Sequence, residues 1–234
     1  MKLTRDITTK IHFILDQILP PILRDSKFLM YPVLLIVYGK KHANFLLNFK
    51  ERAPFMNEKE LAKVYVKIDK VTTERETDLN KGCIKEILRN IRGSSVLEAG
   101  CGKGLLSHEI SKLGHQVTAS DMCVRNETKL KYPKIVFINE NVENLSFKNN
   151  EFDTVICTHT LEHVQNPTKA IDEIKRVAKK RIIIVVPKQR PYKYTFDPHL
   201  YFFPYKHSFL QIAKPDNKYV CKVIAGDIFY IEDF

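Results

Sequence analysis

Glycine is scarce in this chain: eight in 234 residues, about half the usual share of roughly 7%. Scarce glycine with only eleven prolines excludes collagen-like and low-complexity chains. It also gives weight to position, because three of the eight fall within five residues, at Gly100, Gly102 and Gly104. Cysteine spacing of the zinc type is missing. The five cysteines (83, 101, 123, 157 and 221) are odd in number and scattered, with no CxxC. Reduced thiols in a cytoplasmic protein are therefore expected, and no metal site. Long hydrophobic runs are missing too. The most apolar stretch, Phe28 to Tyr38, has 11 residues and contains Pro32, whereas a membrane-spanning helix needs roughly 20. The start, Met1-Lys2-Leu3-Thr4-Arg5-Asp6, lacks the apolar segment of a signal peptide. No five basic residues follow one another, the nearest case being Lys179-Lys180-Arg181, so a dedicated basic arm is absent.

What is present is an ordinary globular balance, 44% hydrophobic and 28% charged, with a formal net charge of +11. Such a charge admits nucleic acid, an anionic membrane surface or an anionic small molecule as partner. Its placement narrows the choice. Residues 1–90 carry a net +6, residues 91–180 a net +2 and residues 181–234 a net +3. The middle of the chain is nearly neutral.

The first third reads as helix. Ile11, Ile14, Leu15, Ile18, Leu19, Ile22 and Leu23 recur at helical spacing, and Pro20-Pro21 should divide the stripe. Phe28 to Tyr38 should form a second helix stopped at Gly39-Lys40-Lys41, and Glu58 to Asp69 a third. Two readings follow: a helical cap on the rest of the chain, or an interfacial helix with Lys2, Arg5, Lys10, Arg24 and Lys27 on its polar face. From about residue 82 helix and strand alternate. Strands are expected at Ser95–Ala99, Gln116–Ser120, Ile135–Ile138, Phe152–Cys157 and Arg181–Val186, with a closing pair at Tyr219–Ile224 and Ile228–Ile231. Helices are expected at Ile84–Ile91, Leu105–Leu113 and Pro167–Ala178. The expected fold class is α/β: a Rossmann-like, doubly wound, mostly parallel seven-stranded sheet with helices on both faces, plus an N-terminal helical cap. The expected boundary separates residues 1–80 from 81–234. Ligands in such a sheet bind outside the carboxyl ends of the strands, where strand order switches.

The first strand runs into Glu98-Ala99-Gly100-Cys101-Gly102-Lys103-Gly104 and then a helix. A strand, a glycine loop and a helix N-terminus make a backbone cradle for a ligand. The spacing is G-x-G-x-G. It is neither the G-x-G-x-x-G of dinucleotide sites nor the G-x-x-x-x-G-K-[ST] of a P-loop.

With an acidic residue two places before the first glycine, this loop resembles the first motif of the class I S-adenosylmethionine-dependent methyltransferases. The resemblance extends to Asp121 at the end of the second strand and to Asn141-Val142-Glu143-Asn144-Leu145-Ser146-Phe147. It continues through Phe152–Cys157 with Leu161-Glu162-His163-Val164, then Asn166-Pro167, Glu173-Ile174-Arg176-Val177 and Val186-Pro187. It covers roughly residues 82–190 and is closest to the family's small-molecule branch. The resemblance implies S-adenosyl-L-methionine as cofactor and residues 81–234 as the domain that binds it. Gly100, Cys101 and Gly102 would pass its methionine and ribose part. Glu98 would orient the loop or reach the amino end through water. Asp121 would accept both ribose hydroxyls, since a carboxylate can take two donors, and Met122 would lie against adenine. Asn141 stands where the family often has Asp and still offers an acceptor to the adenine amino group. Val142 would use its backbone N–H, and Thr158 and His159 would line the boundary between cofactor and acceptor.

Methyl transfer is an in-line displacement that gains most from positioning, and a hydroxyl acceptor gains further from a base. His159 and His163, just after the fourth strand, are the expected bases. The segment Pro191 to Tyr205, with four Tyr, three Phe and His199, is a candidate substrate lid. The leading expectation is a cytoplasmic enzyme that methylates a small molecule, most simply on oxygen, with peripheral membrane contact through the N-terminal helices. A nucleic-acid or protein methyltransferase and a non-catalytic cofactor-binding module are the alternatives. Against the first of these, the fourth strand of this chain lacks the Asn/Asp-Pro-Pro-Tyr/Phe loop that the family uses on the amino groups of bases.

Overall fold

A computed structural model describes residue 14 and residues 18–57, 59–64, 76–194 and 198–234. The chain forms two compact units. One comprises Met1–Arg75 with Gln189–Phe202, the other Glu76–Lys188 with Phe203–Phe234.

The first unit is helical where it is described. α1 (Pro21–Arg24) starts at the expected proline break, with Pro21 at the first helical position, where its missing N–H costs nothing. α2 (Lys27–Arg52) is longer than the sequence suggests. Gly39 does not stop it: at φ 72° it kinks the chain, and the helix resumes. Met30, Leu34, Ala43, Leu46 and Leu47 from both sides of the kink pack with Tyr194 into one apolar cluster. Arg24 is also buried and donates to the Tyr194 carbonyl, and Lys50 donates to the Tyr192 carbonyl. The returning segment 189–202 is thus tied to the helices by charged hydrogen bonds as well as apolar contact. Residues 59–64 are helical. The expected polar face at Lys2, Arg5 and Lys10, most of the first apolar stripe and the far half of the third expected helix lie outside the described residues.

The second unit is the alternating part. In chain order it comprises α3 (Lys81–Asn90), β1 (Ser95–Ala99), α4 (Leu105–Lys112), β2 (Gln116–Asp121), α5 (Asn126–Lys131), β3 (Val136–Asn139) and β4 (Phe152–Thr158). It continues with α6 (Pro167–Val177), β5 (Ala178–Pro187), α7 (Lys206–Ala213), β6 (Tyr219–Ile224) and β7 (Asp227–Asp233). The strands form one sheet in the order β3-β2-β1-β4-β5-β7-β6. The first five are parallel and β7 is antiparallel to both its neighbours. β5 is apolar without alternation because it is covered on both faces: Ile182 to Val186 are all fully buried. β6 and β7 join through Ala225 and Gly226, both at positive φ, the backbone that suits a tight hairpin. α3 and α4 cover the sheet through Cys83, Ile87, Leu106 and Ile110, packed with Val96, Ile156 and Phe229. Asn80 and Asn166 cap α3 and α6 with their side chains. Strand order reverses between β1 and β4, so the loops that leave these two strands lie side by side at the switch point.

Candidate functional site

β1 ends at Ala99 because the next residue leaves extended backbone. Gly100, Gly102 and Gly104 all have positive φ, at 82°, 51° and 73°, a region that residues with a Cβ rarely enter. The loop is folded against β2. The N–H groups of Gly100 and Cys101 both donate to the Ser120 carbonyl, at 2.7 and 2.9 Å. The three glycines are present for different reasons. A Cβ on Gly100 would lie 2.0 Å from Oγ1 of Thr160, and one on Gly104 would lie 3.0 Å from the Phe137 ring. One on Gly102 would meet nothing within 4 Å. Gly100 lets the loops after β1 and β4 close on each other, and Gly104 lets α4 start beside β3. Gly102 is the exposed member, open to its surroundings.

Asp121, the last residue of β2, faces this opening. Its Oδ2 accepts from the Gly102 N–H at 2.9 Å and its Oδ1 from the Cys123 N–H at 3.1 Å. Each oxygen keeps acceptor capacity, and the carboxylate is only half-buried. Met122 follows, also half-buried. Glu98 is buried under the loop, and its Oε2 accepts from the Ser107 hydroxyl on α4. Burial pushes its pKa up to about 8, against the pull of Ser107 and with a small push from Asp121. Glu98 is therefore placed to fix α4 against β1. Burial likewise raises the Cys101 thiol well above its ordinary range, so its sulfur is unreactive there.

Asn141 forms a tight turn: its Oδ1 accepts from the Glu143 N–H at 2.9 Å. Val142 beside it is buried. The rest of this segment is locked to α6. Arg176 donates to the carbonyls of Leu145 and Phe147 while paired with Glu173 at 2.7 Å. Two separate stretches of the family resemblance, 141–147 and 173–177, are one structural unit.

After β4 the chain turns at His159, whose φ is 48°. Thr158 is buried and its carbonyl accepts from the Thr160 hydroxyl at 3.0 Å. The His159 ring stands between two carboxylates. Nδ1 is 3.4 Å from Oε1 of Glu162, and Nε2 is 3.4 Å from Oδ2 of Asp227 on β7. Asp227 in turn accepts from the Asn80 side chain at 2.7 Å. Burial opposes a charge on the ring, but Asp227 and Glu162 together outweigh it and raise its pKa to about 10. The two contacts are charge pairings at 3.4 Å; neither His159 Nε2 nor the Glu162 carboxylate makes a hydrogen bond. His163 is a quarter exposed, with Nε2 3.9 Å from the same Glu162 oxygen. His199 belongs to the first unit, where its Nδ1 lies 2.7 Å from Oε1 of Gln189; most of the candidate lid, 191–202, belongs there too, and Phe203–Tyr205 lie in the second unit.

Reading the sequence missed Thr160, Ser107, Asn80 and Asp227. Thr160 sits between motif residues with no signal of its own. Asp227 looked like the end of a turn, and only the β5–β7 pairing brings it to the β4 loop.

The open glycine, the half-buried carboxylate beside it and the half-buried Met122 offer backbone, ribose-accepting and apolar surfaces together, which fits an adenosyl ligand. Comparisons with known proteins concern the domain as a whole. Residues 97–186 match the family described as a methyltransferase domain. The chain is 38% identical over 88 residues to a ubiquinone biosynthesis O-methyltransferase of Xanthomonas euvesicatoria, covering 35% of this chain and 37% of that protein. It is 31% identical over 109 residues to the Rickettsia bellii protein of the same name, covering 44% and 45%. The chain therefore spans less than half the length of these relatives. In fold it resembles an S-adenosylmethionine-dependent methyltransferase from Aquifex aeolicus, with TM-score 0.53, 20% identity and 72% and 97% of the two chains covered. It also resembles a Burkholderia thailandensis 1,6-didemethyltoxoflavin N1-methyltransferase solved with S-adenosylhomocysteine, with TM-score 0.51, 18% identity and 66% and 79% covered. Residues 97–186 therefore match a methyltransferase domain, carried on a Rossmann-like sheet.

Proposed function

We propose that this protein is an enzyme that methylates a small-molecule acceptor, on a hydroxyl oxygen. The observation that carries the cofactor half of this reading is the left-handed, unobstructed Gly102 held against the Asp121 carboxylate. The curated relatives, named as O-methyltransferases, favour oxygen. When bound, S-adenosylmethionine supplies a methyl carbon on a sulfonium, which passes to the acceptor oxygen as the carbon–sulfur bond breaks and S-adenosylhomocysteine leaves. In this reading Gly100, Cys101 and Gly102 shape the loop along the methionine and ribose part, with Glu98 holding the loop from beneath. Asp121 accepts the ribose hydroxyls. Met122, Asn141 and Val142 flank the base, and Thr158 lies at the acceptor boundary. The two histidines divide the remaining work. His159, protonated between two carboxylates, positions the β4 loop. His163, the more exposed, is the group placed to take the acceptor's proton. The five free cysteines support a reducing, cytoplasmic setting.

Asp121→Ala should weaken S-adenosylhomocysteine binding about a hundredfold, because hydrogen bonds to a charged group contribute roughly 1.5–3 kcal/mol each. Titration calorimetry checks this, and unchanged affinity would remove Asp121 from the site. Transfer of labelled methyl from S-adenosylmethionine into a metabolite extract tests the reaction. The label should enter a small organic product, with His163→Ala slowing kcat by about 10²–10⁴ if it is the base. Label entering only RNA, DNA or protein would overturn the acceptor class.

A further inference from the structure

α2 is apolar on every side before its kink. Met30 and Leu34 are buried against the cluster that includes Tyr194. On the neighbouring side of the same turns lie Leu29, Val33 and Ile36, spaced i, i+4 and i+7, with Phe28 beside them, and all four are exposed. Phe28 is 86% exposed and Ile36 85%, and Ile22 in α1 is 81% exposed. Among the described residues, nine of the eighteen exposed large hydrophobics fall between positions 14 and 36. Scattered exposed apolar residues need no explanation, but a concentration of this kind marks an interaction surface.

Charge and length select the partner. From Ser26 to Lys50 the chain carries four lysines, at 27, 40, 41 and 50, and no acidic residue. A second copy docking through the same face would bring like charges together. An anionic surface is the complement. The part of α2 before the kink, Lys27 to Gly39 with Pro32 inside it, rises about 18 Å at 1.5 Å per residue, well short of the roughly 30 Å hydrocarbon core. No helix among the described residues is long and apolar enough to cross a membrane. We propose that the Leu29–Val33–Ile36 face, with Phe28 and Ile22, lies in the headgroup region of a bilayer rich in anionic lipid, with Lys27, Lys40 and Lys41 against the phosphates. The protein is then a peripheral membrane protein through its first unit. This surface is independent of the methyl-transfer chemistry.

The test is co-sedimentation of the full chain with extruded vesicles of phosphatidylcholine alone, or of phosphatidylcholine and phosphatidylglycerol mixed two to one. The protein should pellet with the mixed vesicles, and raised salt should release it. Each lysine near the anionic surface should strengthen binding roughly fivefold, so Lys40→Gln/Lys41→Gln should weaken it by more than tenfold. Phe28→Ser/Ile36→Ser should reduce the partition by at least tenfold, given the apolar area it removes. Leu130→Ser, an exposed apolar residue of the second unit, should change nothing. S-adenosylhomocysteine affinity measured on the same samples should stay constant, which separates loss of membrane contact from failure of the cofactor site. The proposal is overturned if the unaltered protein stays in the supernatant with both vesicles. It is overturned equally if the Phe28/Ile36 variant pellets like the parent. Light scattering that shows a dimer dissolved by that variant, without vesicle binding, would assign the face to a second copy instead.

Discussion

Gly100→Ala and Gly102→Ala should fail in opposite ways. Both positions have left-handed backbone, which costs a residue with a Cβ about 1–3 kcal/mol. At Gly100 the added methyl also meets Oγ1, Cγ2 and Cβ of Thr160 at 2.0, 2.8 and 2.9 Å. The loops after β1 and β4 must then separate at the switch point, so a loss of at least ~3 kcal/mol is expected. At Gly102 the methyl meets nothing, and the cost should stop near ~1 kcal/mol. Cofactor affinity should show the reverse emphasis. Gly102→Ala leaves a stable protein whose new methyl stands in the space assigned to the adenosyl ligand, so S-adenosylhomocysteine binding should fall by tenfold or more. Urea midpoints and calorimetry on the same two variants read both quantities. Thr160→Ala should rescue part of the Gly100→Ala loss by removing two of the three clashing atoms, giving a coupling energy in a double-mutant cycle. The same substitution should do nothing for Gly102→Ala. Equal stability losses at the two glycines would mean that the loop is shaped by φ alone and that Thr160 plays no part in it.

The contrast also shows where the sequence was readable. The glycine loop, β5 and the β6–β7 hairpin were legible because each rests on local chemistry: positive φ, continuous burial, a two-residue turn. Gly39 was misjudged for an instructive reason. Its φ is the one that ends helices, but buried Ala43, Leu46 and Leu47 share a cluster with Met30 and Leu34. Tertiary packing therefore carries the helix on past it. The short helices α5 and α7 lacked a clear period, being six and eight residues long. The division of labour inside the site was the least legible part. Gly100 and Gly102 look alike in sequence and differ only in what stands across from them. His159 and His163 both follow β4, yet only His159 meets a carboxylate from β7, 68 positions further along. The grouping of 189–202 with the N-terminal helices has the same origin, since Arg24 and Lys50 reach Tyr194 and Tyr192 across more than 140 residues. Contacts of that span leave no pattern in either local stretch.

His159→Gln should remove a pH dependence of stability that the parent protein shows above neutrality. The folded ring titrates near 10, raised by Asp227 and Glu162 against the effect of burial, whereas an unfolded imidazole titrates near 6.5. The folded value is the higher one. The stabilisation is therefore complete below about pH 6.5, declines through the window between about 6.5 and 10, and is gone above it. Within that window the parent should lose up to about 1.4 kcal/mol per pH unit relative to the glutamine variant. The groups facing the ring fix the sign. Glu162 comes from its own loop, fully buried with no hydrogen bond to either oxygen. Asp227 comes from β7, and Asn80 and Cys83 of the α3 cap stand behind it at 2.7 and 3.8 Å. Cys83 is itself pushed up to about 12, chiefly by burial and then by Asp227, and stays neutral throughout the window. Near neutrality the variant leaves two buried carboxylates without their cation, a loss of the kind that costs roughly 3–5 kcal/mol. Adding Asp227→Asn should recover part of it by removing one of those charges. Urea unfolding of parent, single and double variants from pH 6 to 10 measures all of this, and the ¹⁵N shifts of the His159 ring report its proton directly. A ring that is neutral at pH 8, or a stability difference that is flat with pH, would show that the two carboxylates do not hold it charged. His159 would then rejoin His163 as a candidate base.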